Sequence, residues 1–236
     1  MADVLVPVTW VLQERLYSCG PAIAQMMLDA LGVAPPATPP SWQDQLWPQV
    51  QAQALGTRPA GAGPGTPYAP SFPSQLCEQC ETDDPFTCWA TSPDALQRVL
   101  NAGQASAQFV VSPAASESAA TTLLFDTLDA GIPAAALVRG WQHWVVVDGY
   151  QHSDPDPWAI PGRSVNGVYI RNAEVQGIHW VSWRTWRRKY LSVVPCGRYA
   201  NTFVVINGAR RVRPPVTLVP PTSTPAPAAP TNLRIV

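Results

Sequence analysis

The stretch "WVLQERLYSCGPAIAQMMLDALG", residues 10–32, sets a cysteine at the start of a helix and a glutamine six positions ahead of it. From Gly20 to Leu31 the apolar residues Ile23, Met26, Met27 and Leu31 recur at helical spacing. Pro21 suits a first turn and Gly32 a stop, so a helix is expected over 20–31. Cysteine reacts as the thiolate, and the first-turn N–H groups and macrodipole of a helix favour negative charge. Cys19 therefore reads as a nucleophile with a lowered pKa, and the polar Gln13 asks for a role beside it.

A cysteine nucleophile needs a base, and histidine has the matching pKa. The chain offers three, His143, His152 and His179. His143 opens the apolar run "HWVVVDGYQ", which would hold its ring on a rigid strand, whereas the other two fall in or near polar connections. An imidazole base in turn needs an acceptor that orients it. Asn172, ending "GVYIRN", is the candidate one strand on. Asp148 is the competitor, but it lies five positions along the same strand as His143, and that odd offset aims it at the opposite face. An acyl-transfer site also needs donors for the developing oxyanion. The Cys19 N–H and the Gln13 side-chain amide meet that need. Trp141 and Trp144 flank His143 and are expected to line a substrate cleft or pack in the core.

Outward from these residues the chain reads as helices first and sheet second, an α+β order. "SWQDQLWPQVQAQAL", with Ser41 as cap, and "SPDALQRVLNAG", residues 92–103, are expected helices. So is "SAATTLLFDTLDAG", residues 118–131. "AQFVVS" is a short strand, and "PAAALVRG", "HWVVVDGYQ", "GVYIRNAE" and "ANTFVVING" are the runs of a mostly antiparallel sheet. "VSWRTWRRKYLS" reads as one further helix carrying Trp183, Trp186 and Tyr190. Residues 33–75 form a long loop region rich in Pro and Gly. The domain is expected over 1–213, with a Pro-rich tail or linker over 214–236.

Of the 236 residues 46% are hydrophobic and 13% charged, with a net charge of −1. A chain of this size can bury a sizeable core, and it lacks the broad basic field that nucleic acid or an anionic membrane surface demands. A protein or peptide substrate is the expected partner; oligomeric state is not legible. No basic region followed by a long apolar run opens the chain, and no apolar run is long enough to cross a bilayer. A cytoplasmic location is therefore expected, with secretion by a non-classical route as the alternative. Cys77, Cys80, Cys88 and Cys196 admit a four-thiolate zinc site, two disulfides or free thiols. The C-x-x-C half-motif has no second half, so zinc is the weakest of the three. No cofactor is indicated.

The order of Gln13, Cys19 at a helix start, His143 at a strand start and Asn172 one strand later resembles the papain-like cysteine peptidases. The wording "SCGPAIAQMML", "AGIPAAALVRGWQHWVVVDGY" and "VYIRNAE" is most similar to their bacterial branch, which includes the double-glycine leader peptidases of bacteriocin exporters. The resemblance spans about residues 10–210. It implies a helical subdomain carrying Cys19 packed against a sheet carrying His143 and Asn172, with the cleft between them. It also implies hydrolysis of a peptide or isopeptide bond through a thioester, and disulfides among the remaining cysteines. That branch has Asp-Pro where this chain has Asn172-Ala173. The exporters' peptidases are fused to membrane spans, so a free-standing enzyme with another substrate is implied. An acyl transferase on the same scaffold and a catalytically silent binding module are the alternatives.

Overall fold

A computed structural model describes residues 2–14, 18–37, 39–52, 91–104, 106–140, 142–152, 165–195 and 199–211. The elements run β1 (Ala2–Leu5), α1 (Cys19–Ala30), α2 (Trp42–Ala52), α3 (Pro93–Gly103), β2 (Ala107–Ala114) and α4 (Glu117–Asp129). They continue with β3 (Ala134–Val138), β4 (His143–His152), β5 (Val165–Arg171), β6 (Ile178–Ser182) and β7 (Phe203–Arg210). Among the described residues seven strands form one sheet in the order β2-β7-β3-β4-β5-β6, with β1 paired to β4 off that path. Every pairing is antiparallel. The fold is α+β, as expected.

Strands β3 and β4 are buried along nearly their whole length because both of their faces are covered. On β3, Ala135 and Leu137 join α1, α2 and α3 in one core, while Ala134, Ala136 and Val138 join α4 in a second. On β4, Trp144 and Val146 face the first core, Val145 and Val147 the second. Helices α1, α2 and α3 thus pack together on one face of the sheet, as expected, and α4 covers the other. Gly131, at φ +70°, ends the run after α4 in the left-handed conformation that glycine tolerates best.

Several expected elements change. β1 and β6 escaped the sequence reading: β1 is four residues long, and β6 carries exposed Ile178 and Trp180. Helix α4 starts at Glu117 with Ser116 as its cap, accepting from the Ala119 N–H. The helix expected over "VSWRTWRRKYLS" is a three-residue turn, Trp183–Thr185, running into a π-helical turn, Trp186–Tyr190. That turn buries Trp186 in the second core and leaves the arginines outside. Residues 53–90 and 212–236, with most of the expected loop region and the Pro-rich tail, lie outside the described residues. Among the described residues no helix is long and apolar enough to cross a membrane.

Candidate active site

Cys19 is the first residue of α1, and Ser18 ahead of it makes no capping hydrogen bond to the helix. The backbone N–H groups of Trp144, Gly20 and Cys19 itself act on the sulfur and favour its thiolate form. Helix α1 can approach Thr91 closely because of Gly20. A Cβ there would come within 2.1 Å of Thr91 Oγ1 and 2.4 Å of its Cβ. Thr91 is tied in turn to β4, its carbonyl accepting from Trp144 Nε1 at 3.2 Å. Gly20 thus serves the packing of α1 against the residue ahead of α3, in addition to helix entry.

Gln43 of α2, a residue absent from the sequence reading, holds Leu12, Glu14 and Ser18. Its side chain is 3% exposed. Gln43 Nε2 donates to the Leu12 carbonyl at 2.7 Å, and Gln43 Oε1 accepts from the Glu14 N–H at 3.0 Å and from Ser18 Oγ at 3.3 Å. One buried amide therefore grips both sides of Gln13 and the residue before Cys19. A buried amide bonded at both ends resists displacement, because any loss leaves a desolvated polar atom.

His143 begins β4 opposite Val138, where β3 turns into β4 through Arg139 and Gly140, at φ +56° and +64°. The ring meets Asn172, with Nε2 and Oδ1 2.8 Å apart. Asn172 Oδ1 also accepts from the Glu174 backbone N–H at 2.9 Å, which identifies it as the oxygen. His143 must then donate from Nε2, leaving the Nδ1 lone pair open when the ring is neutral. The Asn172 backbone is pinned as well, its carbonyl accepting from Trp10 Nε1 at 2.9 Å. The Gln13 N–H donates to the neighbouring Ala173 carbonyl at 2.9 Å, which brings Gln13 beside the same connection.

The competing assignments fall elsewhere. Asp148 sits at a bulge in β4, where the pairing with β5 shifts between Val147 and Gly149. It is fully buried and accepts from Arg171 Nε at 2.6 Å. Burial pushes the Asp148 carboxyl up, against the hydrogen bond and charge of Arg171. His152 is buried at the far end of β4, and His179 is half-buried on β6, 3.2 Å from the Val175 carbonyl. Trp144 does not line a cleft: its indole is 2% exposed within the first core, and its contribution to the site is its backbone N–H. Trp141 and Cys77, Cys80, Cys88 and Cys196 lie outside the described residues. Among the described residues no cluster of His, Cys, Asp or Glu is arranged to hold a metal ion.

The electrostatics correct one expectation. Cys19 is half-buried, and burial pushes its thiol above the ordinary value. The N–H groups of Trp144, Gly20 and Cys19 pull it down, the Glu174 carboxylate pushes it up, and burial wins. The helix start alone does not make a standing thiolate. Burial likewise lowers the pKa of His143, as does the charge of Arg139, against the hydrogen bond to Asn172 and the charge of Glu174. Burial thus favours the neutral form of both side chains, and the open nitrogen of a neutral His143 can take a proton.

No family model matches this sequence. No curated protein matches it either. Among solved structures the chain is similar to a double glycine motif protease from an AMS/PCAT transporter, in complex with the leader peptide, at 10% identity and a TM-score of 0.48. The overlap covers 88% of this chain and 94% of that one. At that level it does not bear on the chemistry of this chain.

Proposed function

We propose that the protein is a cysteine peptidase that hydrolyses a peptide or isopeptide bond in a protein or peptide substrate. The observation that carries this reading is one piece of geometry. Cys19 opens α1 with the Trp144 N–H acting on its sulfur, and His143, the residue ahead of Trp144, is locked to Asn172 by a 2.8 Å hydrogen bond. As the sulfur attacks the carbonyl carbon, the thiol proton passes to His143 Nδ1. The Gln13 amide and the Cys19 N–H hold the oxyanion. Collapse breaks the C–N bond, and the Nδ1 proton leaves with the amine. Water, deprotonated by His143, then attacks the thioester, releasing the acid and restoring the thiol.

The test is cleavage of a mixed peptide library, followed by mass spectrometry, with wild type and Cys19→Ala compared. The alanine variant is expected to lose cleavage and keep the wild-type circular dichroism spectrum. Equal cleavage by both proteins would falsify the reading. A catalytically silent binding module is favoured by one observation, the upward push of burial on the thiol. Iodoacetamide labelling resolved at Cys19 separates the two. The enzyme is expected to label faster in wild type than in His143→Ala, because the base assists loss of the proton. The silent module labels equally in both.

A further inference from the structure

The connection after β5 carries a carboxylate that the mechanism above does not use. Glu174 Oε1 stands 3.7 Å from His143 Nδ1, on the opposite side of the ring from the nitrogen that Asn172 holds. Its other oxygen, Oε2, accepts from Arg139 Nη1 at 3.0 Å. Its own N–H donates to Asn172 Oδ1, so the backbone that positions Glu174 is fixed by the residue that orients His143. Arg139 is held too: its N–H donates to the Tyr190 carbonyl at 3.0 Å, and its guanidinium lies 6.0 Å from the Tyr190 ring centroid. The charged side chains that act on His143 among the described residues are Glu174 from the β5–β6 connection and Arg139 from the β3–β4 turn, and the charge of Glu174 reaches Cys19 of α1 as well.

Asn172 is neutral. It orients the ring and fixes the tautomer, but it brings no charge to an imidazolium. The nitrogen that becomes charged on taking the Cys19 proton is Nδ1, the one Glu174 faces. We propose that Glu174 is a positioning residue that supplies this missing negative charge, stabilising the imidazolium of His143 once Nδ1 is protonated, with Arg139 holding and partly offsetting the carboxylate. The catalytic meaning rests on the peptidase reading; the effect on His143 does not. The same charge also opposes the Cys19 thiolate, so Glu174 favours a proton on His143 and disfavours premature loss of one from Cys19.

The chain has three histidines, so the ring protons of His143 are assignable by NMR with His143→Gln, and His152 and His179 report whether the fold persists. In Glu174→Gln the titration midpoint of His143 is expected to move to lower pH. Asn172→Asp in the Glu174→Gln background puts a carboxylate back beside the ring and is expected to raise the midpoint again, which a merely structural role would not do. Site-resolved alkylation of Cys19 at neutral pH is expected to quicken about threefold in Glu174→Gln, because a like charge has gone. Glu174→Ala, at a half-exposed side chain, serves as the second variant. A His143 midpoint that stays in place in both single variants, or falls without recovery in the double variant, overturns the proposal. Absence of peptide cleavage by wild type would sink the peptidase reading while leaving these titrations interpretable.

Discussion

Two carboxylate–guanidinium pairs flank Asn172 along the chain, and they are built to opposite specifications. Arg171 reaches into the sheet to Asp148, whose side chain is 1% exposed. Three residues later Glu174, 38% exposed, pairs outside the sheet with Arg139. Desolvation sets the difference. A buried charge stripped of its partner cannot be rescued by water, whereas an exposed pair is screened and contributes little to stability. Deep burial makes the first pair part of the framework that carries β4 and β5. Partial exposure leaves the second free to act on a neighbour, and the neighbour is His143.

The sharpest way to break the contrast is Arg171→Met, which leaves Asp148 buried without its cation. A loss of about 3–5 kcal/mol is expected, read as the shift of the denaturant midpoint. Next comes Gly20→Ala, where a methyl group meets the Thr91 side chain. A loss of about 1–3 kcal/mol is expected, with slower alkylation of Cys19 as α1 is pushed off β4. Gln43→Ala deserts three hydrogen-bonding groups around Gln13, and a destabilisation of about 1–3 kcal/mol with loss of cleavage is expected. The smallest effect on stability belongs to Arg139→Asn, under about 1 kcal/mol, since the pair is exposed and Asn suits a left-handed turn position ahead of glycine. Its effect on titration has a definite sign. The charge of Arg139 lowers the His143 pKa, so its removal should raise the His143 midpoint, opposite to Glu174→Gln. Shifts of the same sign from both variants would mean that the Arg139–Glu174 pair does not act on His143 through its charges.

The pH dependence of wild type follows from the same burial. His143 is held neutral below its ordinary titration range, so protonating it costs folding free energy. Unfolded chain binds that proton more readily. The His143 contribution to stability is therefore present above the unfolded value of about 6.5 and is lost as pH falls through the lower folded one. Thermal unfolding of wild type and His143→Gln across that window checks it: the acid-side loss should be smaller in the variant.

Local periodicity and end signals made α1, α3, α4 and the central strands legible, because an apolar stripe and a Ser cap are written in consecutive residues. The order Gln13, Cys19, His143, Asn172 was legible for the same reason, as residue types at element ends. Glu174 was not legible, since nothing in "RNAEV" says that its side chain faces a ring 31 positions earlier. Gln43 looks like any polar helix residue until the loop it grips is folded over it. The π-helical turn at Trp186 was read as an ordinary helix, because burial of one indole, and not periodicity, fixed its shape.

By itself, then, the sequence determined which side chains stand at the ends of which elements, through propensities that act over a few residues. Only the tertiary structure decided the proton balance at Cys19 and His143. A helix start pulls a thiol pKa down wherever it occurs, but the opposing cost of burial depends on what packs over the sulfur. Here β4 brings the Trp144 N–H to the sulfur and the Glu174 connection brings a carboxylate to bear on it, both from more than a hundred residues away.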